Sequence, residues 1–325
     1  MSIRSGDHRM KSIATLTMNP TIDVAYDVPK VFHTHKIRVS REYHNPGGGG
    51  INVARVYVRL GGHARSYYTS GGATGVALDG LLDLHHLVRT RLPISGETRV
   101  AANVLERESG KEYRFVPAGP MLSVAEWRDS LDTLQWAECD YMVASGSLPP
   151  GVPDDFYAQL TPLLRRRGVR VVLDSSGPAL RASLEAGGIH LVKPSVGELQ
   201  ILVDHPLPDV AAIARAAHTL VARGSAEMVA VTMGHEGAVL VHAGGAARLP
   251  AITVEARSAV GAGDSFLAAM VYALSDGETP EAAFRLGMAA GTAAVLRPGT
   301  DLARPEDIDE MLKRLPTELE PVTLS

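Results

Sequence analysis

Two glycine clusters stand directly in front of helical patterns, a placement that leaves backbone N–H groups free to hold an anion. The later one reads Ser258-Ala259-Val260-Gly261-Ala262-Gly263-Asp264. Phe266, Met270 and Leu274 follow at a four-residue spacing and predict a helix with one buried stripe. Gly261, Ala262 and Gly263 then fall at a helix N-terminus, where unpaired amides and the dipole favour negative charge. Asp264 lies in the first turn beside them. The plain reading of such an acid is a cap, worth about 0.5–2 kcal/mol. The chemical reading is a base: a carboxylate beside an anion hole can take a proton from an alcohol while the hole holds the group under attack. Phosphoryl transfer needs little beyond positioning, charge neutralisation and one such base.

The earlier cluster is Asn45-Pro46-Gly47-Gly48-Gly49-Gly50-Ile51-Asn52. It runs into a predicted helix, Ile51–Leu60, with Arg55 and Arg59 on one stripe and Gly61-Gly62 as the stop. A turn needs one or two glycines; four let backbone approach a ligand with no side chain in the way. No Walker lysine motif occurs, and Phe266 stands where a dinucleotide fingerprint needs its third glycine.

The elements that must position these clusters alternate. Strand patterns at Ser12–Met18, Tyr141–Ala144, Val169–Leu173, Ile189–Val192 and Met228–Met233 are short, β-branched and barely alternating, as in a parallel sheet buried on both faces. Helical patterns at Ser123–Trp136, Pro153–Arg167, Pro178–Ala186 and Val210–Arg223 separate them, and Ala262–Ser275, Pro280–Leu296 and Pro305–Leu315 follow. This predicts an open, mostly parallel α/β sheet flanked by helices. Ile22–His44 and Arg99–Val116 instead alternate as extended segments, with a hairpin turn at Glu108–Lys111. They predict a small β-sheet whose apolar face needs a cover, either a ligand or a second copy. The expected division is a large domain over 11–21, 46–97 and 118–315, a small β lid over 22–45 and 98–117, and loose termini at 1–10 and 316–325.

Composition limits the partners. Of 325 residues, 45% are hydrophobic and 21% charged, which is globular. Lys plus Arg number 32 against 36 acids, a formal charge of −4, which argues against nucleic acid. A lone cysteine, Cys139, excludes an intramolecular disulfide and reads as a structural thiol. No apolar run approaches the ~20 residues of a membrane helix, and the opening MSIRSGDHRM lacks a signal-peptide core. A cytoplasmic protein without membrane contact is expected.

At Asn19-Pro20-Thr21-Ile22-Asp23, Gly47–Asn52, Gly71-Gly72-Ala73-Thr74-Gly75, Ser145-Gly146-Ser147-Leu148-Pro149-Pro150-Gly151 and Gly261–Asp264, the chain resembles the PfkB/ribokinase family of carbohydrate kinases. It is most like the family's 6-phosphofructokinase branch. The resemblance covers about Met10 to Leu315 and implies a ribokinase-like α/β fold with a small β-sheet lid. It implies ATP-dependent phosphorylation of a sugar phosphate, foremost fructose 6-phosphate to fructose 1,6-bisphosphate, with Mg2+ and a monovalent cation such as K+. The alternatives are tagatose 6-phosphate, fructose 1-phosphate, another sugar, or a catalytically weak sugar-phosphate binder.

The resemblance also assigns residues. Asp264 is implied as general base and Gly261, Ala262 and Gly263 as anion hole. Asp23, Gly48, Gly49, Asn52 and Ser147 face the sugar; Lys36, Arg38 and Arg99 lie near its phosphate, all three in the extended segments of the lid. Lys193, Ser195, Thr232, Gly234, Gly237, Met288 and Thr292 are implied around ATP, and Glu198 organises magnesium through water. Two positions depart from the family: Ser195 replaces its usual asparagine, and Ala259 replaces a threonine near its monovalent-cation site. Asp174, ending a central strand, is read either as a site residue or as a cap. Related tagatose 6-phosphate and fructose 1-phosphate kinases usually carry lysine at the position of Gly49. A homodimer through the lid is expected.

Overall fold

The computed structural model describes residues 11–324; the extension expected at 1–10 lies outside them. The chain runs β1 (Ile13–Thr17), β2 (Thr21–Val28), β3 (Arg41–Gly47), α1 (Gly49–Arg59), β4 (Ala64–Ser70), α2 (Gly72–Asp83), β5 (Val88–Pro93), β6 (Arg99–Glu106), β7 (Glu112–Phe115) and α3 (Val124–Leu134). It continues β8 (Tyr141–Ser145), α4 (Phe156–Arg165), β9 (Arg170–Asp174), α5 (Gly177–Ala186), β10 (Ile189–Val192), α6 (Val196–Val203), α7 (Val210–Ala222) and β11 (Ala226–Thr232). The last elements are β12 (Ala238–His242), β13 (Gly245–Leu249), α8 (Ala262–Ser275), α9 (Pro280–Val295), α10 (Pro305–Arg314) and β14 (Glu320–Pro321).

The large sheet has ten strands in the order β14-β13-β12-β11-β10-β9-β8-β1-β4-β5. From β11 to β5 every pairing is parallel; β12, β13 and β14 add antiparallel. Its central strands are buried throughout, as in Ile13–Thr17 and Tyr141–Ser145, because helices cover both faces. One core packs α1, α2, α8, α9 and α10 on one face, around Phe266, Leu267 and Phe284. The other packs α3, α4, α5 and α7 on the opposite face, around Phe156, Leu160 and Leu180. Each such fully buried side chain contributes about 1.5–3 kcal/mol relative to exposure. Among the described residues, no helix is long and apolar enough to cross a membrane.

Strand order reverses at β1, whose neighbours β4 and β8 lead in opposite directions. A crevice opens beyond the carboxyl ends at such a switch point. The separate four-stranded sheet, β3-β2-β6-β7, follows directly from β1 and stands over that crevice edge.

Three expectations need correction. Ile22–His44 is not one extended run: residues 29–40 form an exposed connection between β2 and β3. Pro29 explains the break, since it cannot donate to the ladder. The C-terminus is not loose: β14 pairs with β13, Val322 N donates to Ala246 O at 2.9 Å, and Val322 and Leu324 pack on the core. Finally β4, α2 and β5 fill residues 64–93, where patterning predicts no element. The α2 sequence GATGVALDGLLD has weak intrinsic helix preference and is held by burial of Leu78 and Leu82.

Candidate active site

The two glycine loops, the ends of β8 and β9 and the small sheet meet around one cleft of about 300 Å³. Gly261 takes φ 74°, a left-handed conformation that turns the chain into α8; Gly261 itself lines the cleft, while Ala262 and Gly263 do not. Asp264 follows and lines the cleft. Asn52 Nδ2, from α1, donates to Asp264 Oδ2 at 2.9 Å. Burial pushes the Asp264 carboxyl up to about 6, Asp174 adds to this, and Asn52 and Lys193 oppose it.

The earlier glycines fit because of close approaches. A Cβ at Gly47 would lie 2.1 Å from Asp23 Oδ2, and one at Gly49 2.1 Å from Ser145 Oγ. Asp23, Gly48, Gly49, Asn52 and Ser147 all line the cleft. Burial raises the Asp23 carboxyl to about 6 against the opposing charges of Arg55, Arg114 and Arg99.

On the floor, Lys193 Nζ pairs with Asp174 Oδ1 at 3.0 Å, and Ser145 Oγ donates to Asp174 Oδ2 at 3.2 Å. Burial alone would lower the lysine pKa, but Asp174, Asp264 and Glu198 together raise it, so the ammonium stays charged. Its Nζ lies 3.2 Å from where a Cβ on Gly263 would stand, at the first turn of α8. Asp174 therefore belongs to the site, with Lys193 as its partner.

Arg99 lines the cleft, with Nη1 donating to Pro117 O at 2.9 Å and Nη2 to Asn19 O at 2.7 Å. Its buried Nε has no partner among the described residues. Two further residues of the small sheet reach the cleft and escape the sequence reading: Asn103 and Arg114. Asn103 is 8% exposed and its Oδ1 has no partner among the described residues, an acceptor a ligand hydroxyl would satisfy. The period of two from Arg99 through Ala101 could have found it. Arg114 sits opposite Asn103 in the β6–β7 register, which depends on the hairpin between.

Lys36 and Arg38 are not brought in. Both lie on the exposed 29–40 connection, outside the small sheet, and neither lines the cleft.

Ser195 caps α6 in a reciprocal box with Glu198: Glu198 N donates to Ser195 Oγ, and Ser195 N and Oγ donate to Glu198 Oε2 at 2.7 and 2.9 Å. Serine caps as well as asparagine does, so this departure keeps the helix start. Thr232 bridges Ser195, and Gly234 and Gly237 bound a single 3-10 turn beyond β11; Gly237 has φ 105°. Met288, in the core, and Thr292, whose hydroxyl donates to Met288 O at 2.9 Å, stand on α9 and do not line the cleft. Gly291 beside them faces Ala262 O, so α9 flanks the start of α8.

Asp174 and Glu198 both line the cleft; Lys193 and Ser145 engage the two oxygens of Asp174, and Ser195 engages Oε2 of Glu198. Such a pair suits magnesium held mainly through water and phosphate oxygens.

Fold and site together define a sugar kinase: residues 14–307 match the pfkB family of carbohydrate kinases, and the chain belongs to that family. It is 40% identical to the ATP-dependent 6-phosphofructokinase isozyme 2 of Mycobacterium tuberculosis strain H37Rv, over 96% of this chain and 93% of that one. It is 38% identical to the Escherichia coli K12 protein of the same name, over 93% and 98%. The crystal structure of phosphofructokinase-2 from E. coli in complex with fructose-6-phosphate superposes with a TM-score of 0.88 at 37% identity, covering 94% of this chain and 99% of that one.

Proposed function

We propose that this chain is a cytoplasmic kinase that moves the γ-phosphoryl of ATP to the position-1 hydroxyl of fructose 6-phosphate, giving fructose 1,6-bisphosphate and ADP. The observation that carries the reading is Asp264, held by Asn52 beside the α8 amides at the bottom of the cleft. The sugar lies against Asp23, Asn52 and the Gly48–Gly49 backbone, with its phosphate toward Arg99, Arg114 and Ser147. Asp264 accepts the hydroxyl proton as that oxygen attacks the γ-phosphorus. Gly261–Gly263 amides and Lys193 take up the charge on the moving group. Magnesium, when bound with ATP, neutralises the phosphates. ATP lies along Lys193–Ser195, Thr232–Gly237 and α9. The small sheet of β3, β2, β6 and β7 closes over the acceptor as a lid.

The E. coli 1-phosphofructokinase (31% identical) and a Staphylococcus epidermidis tagatose-6-phosphate kinase (28%) mark the rival acceptors. Gly49 favours fructose 6-phosphate, because the resemblance puts lysine at this position in the rival kinases, and here Ser145 Oγ fills the space a side chain would need. Turnover with fructose 6-phosphate, tagatose 6-phosphate, fructose 1-phosphate and free fructose, followed by coupled ADP release, tests the reading. Binding without turnover on every sugar would replace the enzyme by a sugar-phosphate binder.

A base with a pKa near 6 is active only when ionised. The rate kcat/KM is expected to fall about tenfold per pH unit below that value and to level off above it. A flat profile between pH 5 and 7 would remove a carboxylate of raised pKa from the mechanism.

The lid carries exposed Val100 and Phe115, and the 29–40 connection adds Val31, Phe32 and Val39. A second copy would cover them, and one E. coli phosphofructokinase-2 structure is a tetrameric inhibited form. A dimer through the lids is the expected species, and it would give Lys36 and Arg38 a surface to act on. Sedimentation should give a dimer mass at micromolar protein and a monomer mass for Phe115→Glu.

A further inference from the structure

Arg55 is 3% exposed, one turn after the glycine run on α1, yet its partners are neutral. Its Nη1 donates to Pro46 O at 3.0 Å and to Asn52 Oδ1 at 3.3 Å, and its Nη2 to Asn45 Oδ1 at 3.4 Å. Its buried Nε has no partner among the described residues. A buried guanidinium without a carboxylate in contact is costly, and a purely structural arginine normally takes one. Here burial lowers its pKa to about 10, Arg59 adds to that, and Asp301, Asp23 and Asp264 offset it from a distance.

The consequence lies in the amide that Arg55 grips. Asn52 can present either its oxygen or its nitrogen to Asp264. Presenting oxygen would set two acceptors against each other. With Arg55 donating to Asn52 Oδ1, only Nδ2 is left to face Asp264, and it donates there at 2.9 Å. On its other side Arg55 holds Asn45, whose Nδ2 donates to Thr300 Oγ1 at 2.9 Å on the cleft wall. One guanidinium thus spans the end of lid strand β3, the glycine loop and the amide that orients the base.

We propose that Arg55 is a positioning residue that fixes the Asn52 amide in the one orientation that donates to Asp264, and ties that orientation to the seating of β3. Arg55 touches no reacting atom. The inference rests on the kinase reading above.

The test is a double-mutant cycle on kcat, run with ATP and the phosphorylated sugar that the parent turns over fastest. Parent turnover tests the kinase reading separately, since a parent inactive on all sugars would end both ideas. Arg55→Met is expected to lower kcat at least tenfold in the parent and less than twofold in an Asn52→Ala background. Equal losses in both backgrounds would reduce Arg55 to packing and overturn the proposal. Arg55→Lys keeps the cation but not the fork, so it should keep the thermal midpoint near that of the parent without restoring kcat. Full rescue by lysine would show that charge alone matters and overturn it too. If Arg55→Met does not fold, the cycle is run with Arg55→Lys, which is expected to lose at least fivefold in the parent and less than twofold with Asn52→Ala.

Discussion

Asp264→Asn is expected to lower turnover by about 10²–10⁴-fold, the range typical of a lost general base. The substitution is nearly isosteric, and its amide oxygen can still accept from Asn52 Nδ2. It also removes a charge that burial and Asp174 already disfavour, so the thermal midpoint should not fall. The acceptor KM should change far less than kcat, because the lost step is proton removal and not grip. Coupled ADP release, with thermal unfolding as control, measures both. A variant within threefold of the parent would take Asp264 out of the chemistry and leave it a first-turn acid on α8.

Removing Arg114 is expected to raise KM for fructose 6-phosphate by about 10–10²-fold, from a charge-assisted contact worth about 1.5–3 kcal/mol. Free fructose, lacking the phosphate, should show no change. Arg114 is the cleaner probe of the phosphate pocket because it is exposed on β7 and makes no ion pair among the described residues. Arg99→Ala should show the same split in KM and also a lower thermal midpoint. Its two Nη atoms hold the carbonyls of Asn19 and Pro117, which would be left unpaired. Equal loss on both acceptors after Arg114→Ala would place the phosphate elsewhere, with the 29–40 loop the next place to look.

The parts of the site that were legible lie in short local signals. Helix α8 runs Ala262–Ser275 as its glycine start and apolar spacing predict, and β10 runs Ile189–Val192 as its β-branched run predicts. Glycine before a helix is a local steric statement, so it survives folding unchanged. Elements with weak local preference, such as α2, and the edge strand β14, whose partner β13 is distant in sequence, left no comparable mark. They form because the rest of the sheet offers them a surface. Lys36 and Arg38 are the converse case: the resemblance put them in the small sheet, but Pro29 and the exposed connection after it keep them out of the ladder.

By itself the sequence determined a glycine-led helix start with an acid beside it, a mostly parallel sheet to carry them, and a small sheet at their side. Only the tertiary structure decided which cations line the cleft, keeping Arg99, adding Arg114 and leaving out Lys36 and Arg38, and that Asn103 and Asp174 line it with them. The reason is physical. Backbone conformation at a glycine loop is set by contacts within a few residues, whereas cross-strand register and strand order are set by pairings distant in the chain, such as Asp23 with Ala101.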